Sequence, residues 1–165
     1  MSPTPQKPDR LIPEIFVNDG VGAMKFYQRA FAATEVSRML SDDGKKLLHG
    51  ELTILGHLLY VCDEFTAQEG GTCKSPRTLG GTPARMMLQV DDADATFARA
   101  VKAGAEVMMP LEDMFWGARY GKLKDPYGHE WGINQQNARP TQTEEVAAAK
   151  KYFAKKKKPA TKKKT

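Results

Sequence analysis

Two stretches of the chain share one pattern of apolar and polar positions. LIPEIFV (Leu11–Val17) and ARMMLQV (Ala84–Val90) are mainly apolar runs of strand length, which predicts a β-strand in each. The pairs Asn18–Asp19 and Asp91–Asp92 follow directly, and these residue types favour the N-cap of a helix. The next segments, GAMKFYQRAFAATEV and DATFARAVKAGAEVM, carry apolar residues at helical spacing. The pattern therefore predicts the same strand–helix unit twice.

The two halves repeat each other at a constant separation. Phe26 and Phe97 lie 71 residues apart, and so do Gly50 and Gly121. A constant offset across several elements indicates an internal repeat, in which each half has the order β-α-β-β-β. Each helix is expected to bury its Phe and Ala stripe on one face of its sheet, which leaves the other face free.

These patterns predict an α+β fold of two tandem βαβββ modules, over residues 11–62 and 84–137. Each module alone is short for a stable hydrophobic core, so we expect one fused domain over residues 11–137. The segment Asp63–Pro83 between them is rich in Gly, Pro and Thr without a period, which predicts a long connecting loop. Residues 138–165 are predicted to form a short helix, capped by Thr143, and then a disordered basic tail.

Composition narrows the class of protein. The 165 residues are 41% hydrophobic and 27% charged, and no apolar run approaches the roughly 20 residues of a membrane helix. The first residues lack the apolar stretch of a signal peptide, so a cytoplasmic protein is expected. Cys62 and Cys73 lie far in sequence from any His/Cys cluster, so neither a zinc site nor a disulfide framework is predicted.

The basic charge is concentrated at one end of the chain. Residues 144–165 hold nine lysines and two glutamates, a net charge of +7, so the other residues carry −2 of the total of +5. The run Lys150–Lys164 predicts non-specific, salt-sensitive binding to nucleic acid or another polyanion, such as an anionic membrane surface. A solubilising tail without a partner is the alternative interpretation.

A more specific signal lies in the second half. RYGKLKDPYGHEWGINQQ (Arg119–Gln136) predicts a hairpin with a type I turn at Asp125–Gly128, and FWGARYG (Phe115–Gly121) overlaps its first strand. With the paired modules, the motif F-W-G-x-R-Y-G…D-P-x-G-H-x-W resembles the vicinal oxygen chelate superfamily of glyoxalases, bleomycin resistance proteins and extradiol dioxygenases. The small bacterial glyoxalase-like proteins are the most similar subgroup. The resemblance implies two modules in a curved, half-barrel-like sheet, helices on the convex side, and a homodimer.

The resemblance also implies four metal-ligand positions, on the first and last strand of each module. In this sequence they fall on Ile12, Tyr60, Arg85 and Gly132. Divalent metals need imidazole, thiolate or carboxylate donors, and Arg85 adds a positive charge. We therefore expect no metal or cofactor, and a protein that is not an enzyme but binds a small organic ligand in a metal-free groove, as in antibiotic or metabolite sequestration.

Strand alternation then predicts which side chains line that groove. Arg85 is predicted either to bind a ligand carboxylate or phosphate, or to pair with Glu14 or Glu130. Trp116 is predicted to stack on a planar ligand, or to pack against a dimer partner. The predicted ligand-binding residues are Glu14, Phe16, Tyr60, Arg85, Gln89, Trp116, Arg119, Tyr120 and Asn134.

Three residues are candidates for catalysis. His49 and Glu51 share a strand face by alternation and suit a general acid–base pair or half of a metal site, and Glu130 is a third candidate. They support an alternative function, a metal-dependent lyase, isomerase or dioxygenase with a non-standard ligand set. A DNA-associated protein acting through the tail is the other alternative. His57 and His129 occupy matched turn positions, where surface residues without a function are expected.

Overall fold

The computed structural model describes residues 10–156 and divides the chain into two compact units. The first, unit 1, runs to Thr82 and includes the turn Pro126–Gly128. The second, unit 2, holds Pro83–Asp125 and the chain from His129 onward. Among the described residues, no helix is long and apolar enough to cross a membrane.

Unit 1 has the predicted β-α-β-β-β order. Its sheet has the order β1-β4-β3-β2, with β1 and β4 parallel and the other pairs antiparallel. The elements are β1 (Glu14–Val17), α1 (Gly20–Phe31), β2 (Thr34–Leu40), β3 (Leu47–Ile54), β4 (His57–Asp63), a 3₁₀ turn (Ala67–Glu69) and α2 (Pro76–Leu79).

Unit 2 repeats this topology. Its sheet has the order β5-β8-β7-β6, again with a parallel pair, here β5 and β8, and two antiparallel pairs. The elements are β5 (Arg85–Gln89), α3 (Ala93–Ala103), β6 (Glu106–Asp113), β7 (Ala118–Lys124), β8 (Glu130–Gln136) and α4 (Gln142–Lys156). Over residues 10–156 the fold is thus α+β, with two four-stranded mixed sheets and four α-helices.

The predicted caps and glycines have clear structural roles. Asp19 accepts a hydrogen bond from the Gly22 backbone N–H at 2.9 Å, and Asp92 caps α3 in the same way. The repeated glycines lie beneath the two helices, because a Cβ on Gly50 would meet Met24 and one on Gly121 would meet Phe97. A small residue at this strand position lets the helix approach the sheet closely.

Several element boundaries differ from the sequence prediction. The first strand begins at Glu14 rather than Leu11. The segment Asp63–Pro83 is not without structure: Thr66 and Glu69 form a capping box on the 3₁₀ turn, and Ser75 caps α2 ahead of Pro76. Such caps form short helical turns without any apolar period, which explains why periodicity missed them.

The last helix also differs from its prediction at the start. Thr141, and not Thr143, forms a capping box with Glu144, whose carboxylate accepts from the Thr141 backbone N–H at 2.8 Å. The predicted disordered tail beyond Lys156 lies outside the described residues.

The β7–β8 turn is held by a buried carboxylate. Asp125 is 3% exposed and accepts from the His129 backbone N–H and from the Trp131 indole N–H, each at 2.9 Å. His129 itself is buried, which corrects its prediction as a surface residue, whereas His57 is exposed as predicted. Trp131 and Ile133 are fully buried on the α3 side of the sheet, so the remaining β8 positions point to the opposite face.

Candidate functional site

In unit 1, polar side chains collect on the sheet face opposite α1. The buried residues of β1 and β4, such as Ile15 and Val61, face α1, and the alternate residues face away. The pairing of β1, β4 and β3 then sets these alternate residues side by side. One row across the three strands consists of Glu14, Tyr60 and Glu51, and the next row on the same face consists of Phe16, Cys62 and His49.

Glu14, His49 and Cys62 form a cluster of metal-ligand type on this face, here called the triad. One ligand atom from each residue lies within 4.8 Å of the others. The Cys62 thiol donates to a Glu14 carboxylate oxygen at 3.4 Å. Burial, with Glu14 adding to it, raises the pKa of the Cys62 thiol to about 12.

Two further side chains support the histidine of the triad. A Glu51 carboxylate oxygen lies 3.3 Å from His49 Nε2, so the predicted pair on one strand face is in contact. The Tyr60 ring packs edge-on against the imidazole, with centroids 4.7 Å apart. Both neighbours restrict the orientation of the ring.

Cys62 lies apart from His49 along the chain but close to it in the structure. The β3–β4 hairpin brings Cys62 close to this histidine. Gly50 pairs with Val61 in this hairpin, so the next residues outward, His49 and Cys62, are neighbours. The sequence indicates a turn at Gly56, but only the register of the two strands shows that His49 and Cys62 lie side by side. Cys73 is exposed and is also a free thiol.

In unit 2, the face opposite α3 carries a line of paired polar groups. Arg85 donates to Glu130 from Nε at 3.1 Å and from Nη2 at 2.5 Å, so the ion pair with Glu130, one of the two predicted alternatives, is present. The hydrogen bond to Glu130 raises the pKa of Arg85, and the Tyr120 phenol contributes. Further along the same face, beyond the pair Met87 and Gly132, Asn134 donates to Gln89 at 2.5 Å.

A depression of about 610 Å³ adjoins this line of polar groups in unit 2. Two of its residues, Gln89 and Trp116, were predicted from the sequence. Gln136 fixes the Trp116 loop by donating to the Trp116 carbonyl at 3.2 Å, and the indole packs edge-on against Tyr120. The residues lining it are Gln89, Trp116, Gln136, Arg139, Pro140 and Glu145. Sequence reasoning missed the last four. Gln136 is the last residue of β8, and the other three lie after its end, where no strand alternation applies.

Arg119 does not lie with the other predicted ligand-binding residues. Its guanidinium donates to both carboxylate oxygens of Asp94 in α3, and also to Asp113 at 3.3 Å. The Asp94 carboxylate raises the pKa of Arg119 further above its ordinary value. Arg119 therefore lies on the α3 side of β7, while its neighbour Tyr120 points to the opposite face.

The four ligand positions that the superfamily implies do not fit a metal. Ile12 precedes β1, the Tyr60 ring packs on His49, and Arg85 is held by Glu130. At Gly132, which has no side chain to donate, a Cβ would lie 2.6 Å from the Met87 sulfur, so that a longer side chain would have to displace Met87. None of the four supplies an imidazole, thiolate or carboxylate donor.

Comparison with known proteins agrees with this fold. Residues 9–133 match the model of the Glyoxalase/Bleomycin resistance protein/Dioxygenase superfamily. The chain belongs to that superfamily. The family model does not test the motif F-W-G-x-R-Y-G…D-P-x-G-H-x-W, on which the resemblance to the small bacterial glyoxalase-like subgroup depends.

Individual relatives cover most of the chain. The uncharacterised protein Rv0887c of Mycobacterium tuberculosis is 42% identical over 139 residues, 84% of this chain and 81% of that protein. The crystal structure of TioX from Micromonospora sp. ML1 has a TM-score of 0.61 and 25% identity, over 78% of this chain and 99% of TioX. An Arabidopsis thaliana gene product, At5g48480, has a TM-score of 0.59 and 28% identity, over 78% of this chain and 98% of that structure.

Proposed function

We propose that this glyoxalase-like protein binds a small organic ligand in the depression beside Trp116, without a metal at the superfamily's four ligand positions. The observation that carries the proposal is the set of groups around that depression. Trp116 supplies an aromatic ring, Gln89 and Gln136 supply amides, and Arg139 supplies a cation. Its volume lies in the usual range for small-molecule sites, which is roughly 300–1,000 Å³.

The chemistry of these groups indicates a class of ligand. A planar ring stacks on the indole of Trp116, and an anionic group binds the guanidinium of Arg139. Among the described residues, Arg139 makes no ion pair, so its charge is available to a ligand. The Gln89 carbonyl is already engaged by Asn134, which leaves the Gln89 amide nitrogen as a donor. We infer an aromatic or heterocyclic acid of drug-like size.

A sequestration role follows from what surrounds this depression. The superfamily's four ligand positions hold no metal donors, and the acid–base candidates His49 and Glu51 are not among the residues that line the depression. Tight binding without turnover is the activity that such a site supports, in line with the bleomycin resistance proteins named in the family description. A curved half-barrel sheet and a homodimer, which the family resemblance implies, remain part of the proposal.

The test uses 8-anilinonaphthalene-1-sulfonate, an aromatic anion whose fluorescence rises on binding. The full chain is titrated with this probe, together with Trp116→Ala and Arg139→Ala. We expect each variant to weaken the dissociation constant by about tenfold or more, equivalent to about 1.4 kcal/mol. Leu79→Ala and Arg77→Ala are the matched controls, because both residues are exposed on α2 of unit 1.

Two outcomes decide the proposal. Unchanged affinity in both Trp116→Ala and Arg139→Ala, or an equal loss in the α2 controls, would overturn it. Native mass spectrometry of freshly purified protein then identifies the natural ligand, and a co-purified organic acid that is absent from Trp116→Ala supports the site independently.

A further inference from the structure

The triad of unit 1 has the composition of a transition-metal site. Glu14, His49 and Cys62 bring one carboxylate, one imidazole and one thiol to one place. Oxygen, nitrogen and sulfur donors of this kind are the ligands that zinc and similar divalent ions take in proteins. Within residues 10–156, these three form the group of His, Cys, Asp and Glu side chains that meets this geometry.

The sheet brings these residues together from three different strands. Glu14 lies on β1, His49 on β3 and Cys62 on β4, with β4 between the other two strands. Phe16 pairs with Cys62 in the parallel pair, so Glu14 lies two residues along β1 on the same face. Rigid strands therefore fix the three side chains, which favours a defined coordination geometry over a chance contact.

The distances are close to those a bound ion requires. Metal–ligand bonds of about 2.0–2.3 Å at tetrahedral angles place neighbouring donors about 3.2–3.8 Å apart. The Cys62 sulfur and the Glu14 oxygen are already 3.4 Å apart, and no pair of donors exceeds 4.8 Å. Small rotations of the exposed Glu14 and half-buried His49 side chains are enough to close the remaining gap.

The surroundings of the triad also suit a metal. Glu51 lies 3.3 Å from His49 Nε2, so with Nδ1 as the metal ligand this carboxylate is the usual type of outer partner for a metal-bound imidazole. Cys62 is 6% exposed, so its sulfur is protected from the solvent on one side, while Glu14 at the surface leaves an entry path. The Tyr60 ring holds the imidazole from its edge.

We propose that Glu14, His49 and Cys62 bind a divalent transition metal of the zinc type. The site is distinct from the superfamily's four positions, because none of its three residues is one of those four. Three protein ligands leave a fourth position open, which suits an oxygen or nitrogen donor of a small molecule. The triad lies wholly in unit 1, so this proposal goes beyond the ligand site beside Trp116 and does not depend on it.

The test is cobalt(II) absorption spectroscopy on the full chain without a polyhistidine tag. A thiolate bound to cobalt gives a near-ultraviolet charge-transfer band, which carboxylate and imidazole ligands do not give. We expect one equivalent of cobalt to produce this band and zinc to abolish it by displacement. Cys62→Ser removes the band, and Glu14→Gln and His49→Ala weaken cobalt affinity by about tenfold or more, as judged from the cost of lost ligand-shell groups.

Matched controls are present in the same chain. Cys73→Ser removes the other, exposed thiol, and His57→Ala removes the exposed histidine of the same hairpin. Both are expected to bind cobalt like the parent protein. Circular dichroism checks that each variant is folded. Because Cys62 is buried, the exposed Glu14→Gln variant keeps the test decisive if Cys62→Ser fails to fold.

The proposal is overturned by any of three results. Cobalt and zinc that do not bind in a one-to-one ratio exclude the site, and so does a charge-transfer band that survives in Cys62→Ser. Equal losses in Glu14→Gln and in the His57→Ala control show that the metal binds elsewhere. A band that depends on Cys62, with weaker affinity in Glu14→Gln and His49→Ala alone, supports the triad.

Discussion

Arg85 and Glu130 face each other across the parallel strands β5 and β8, and two guanidinium nitrogens donate to the same Glu130 oxygen. The side chains are 34% and 22% exposed, so solvent still reaches both. The ion pair takes up the charge that would otherwise be available to a ligand on this part of the sheet. Arg139, at the neighbouring depression, makes no ion pair with any described residue.

The Arg85–Glu130 pair is expected to contribute little to stability. For a partly exposed pair, a double-mutant cycle of Arg85→Ala and Glu130→Ala should give a coupling energy of about 0.5–1 kcal/mol. Urea unfolding at low salt measures it, and added salt should reduce it. A coupling energy near zero would contradict the expected stabilisation by the pair.

Removing the Asp125 carboxylate is expected to destabilise the protein strongly. Asp125→Ala leaves the buried Trp131 indole N–H and the His129 backbone N–H without their acceptor, at a cost of about 2–4 kcal/mol in the free energy of unfolding. Asp125→Asn keeps one acceptor and should cost less. Chemical unfolding followed by tryptophan fluorescence compares the two, and equal effects below about 1 kcal/mol would contradict this role.

The repeated glycines should respond differently to alanine. A Cβ on Gly121 would lie 2.7 Å from the Phe97 ring and 3.1 Å from a backbone oxygen, so Gly121→Ala should cost about 1–3 kcal/mol. Both positions have a backbone oxygen close by, at 3.2 Å for Gly50, but the nearest atom to a Cβ on Gly50 is the sulfur of the flexible Met24 side chain at 2.7 Å, so Gly50→Ala should cost less. Gly81→Ala is the control, since no atom lies within 4 Å of its Cβ position. Thermal unfolding should show the largest loss of stability for Gly121→Ala, a smaller loss for Gly50→Ala and the smallest for Gly81→Ala. A larger loss at Gly81 than at Gly121 would contradict this interpretation.

Alkaline pH is expected to destabilise the protein through Cys62. Burial raises the pKa of this thiol from 9.0 to about 12, so the native chain keeps a proton that the unfolded chain loses. The stabilisation is fully present below pH 9 or so and is lost as the pH rises toward 12. Urea midpoints across this range should fall more steeply in the parent protein than in Cys62→Ser. Cys73→Ser should follow the parent, and a Cys62→Ser variant with the parent's slope would falsify the assignment.

Much of the architecture of each half could be predicted from local sequence. Asp19 and Asp92 cap helices where the acidic residues indicated a start, and Gly50 and Gly121 take equivalent places under those helices. These features depend on residues near one another in the chain. The 3₁₀ turn at Ala67–Glu69 was missed because a capping box, and no periodicity, specifies it.

The candidate site could be predicted only in part. Alternation placed Gln89 and Asn134 on one face of unit 2, and the structure joins them by a hydrogen bond. It could not find Arg139, which lies beyond β8, and the family-like motif did not show that Arg119 would be bound by Asp94 on α3.

The sequence by itself determined the order of strands and helices in each half. It also determined that Ile12 and Gly132 have no metal-donor side chain. Both follow from residue types and short-range periodicity, which depend only on the order of residues in the chain. Only the tertiary structure decided that Glu14, His49 and Cys62 would meet. They come from three strands, and a shift of one residue in pairing would turn any of them to the opposite face of the sheet. That register is fixed by the burial of Ile15, Leu52 and Val61 on the α1 side, which is a property of the packed sheet as a whole.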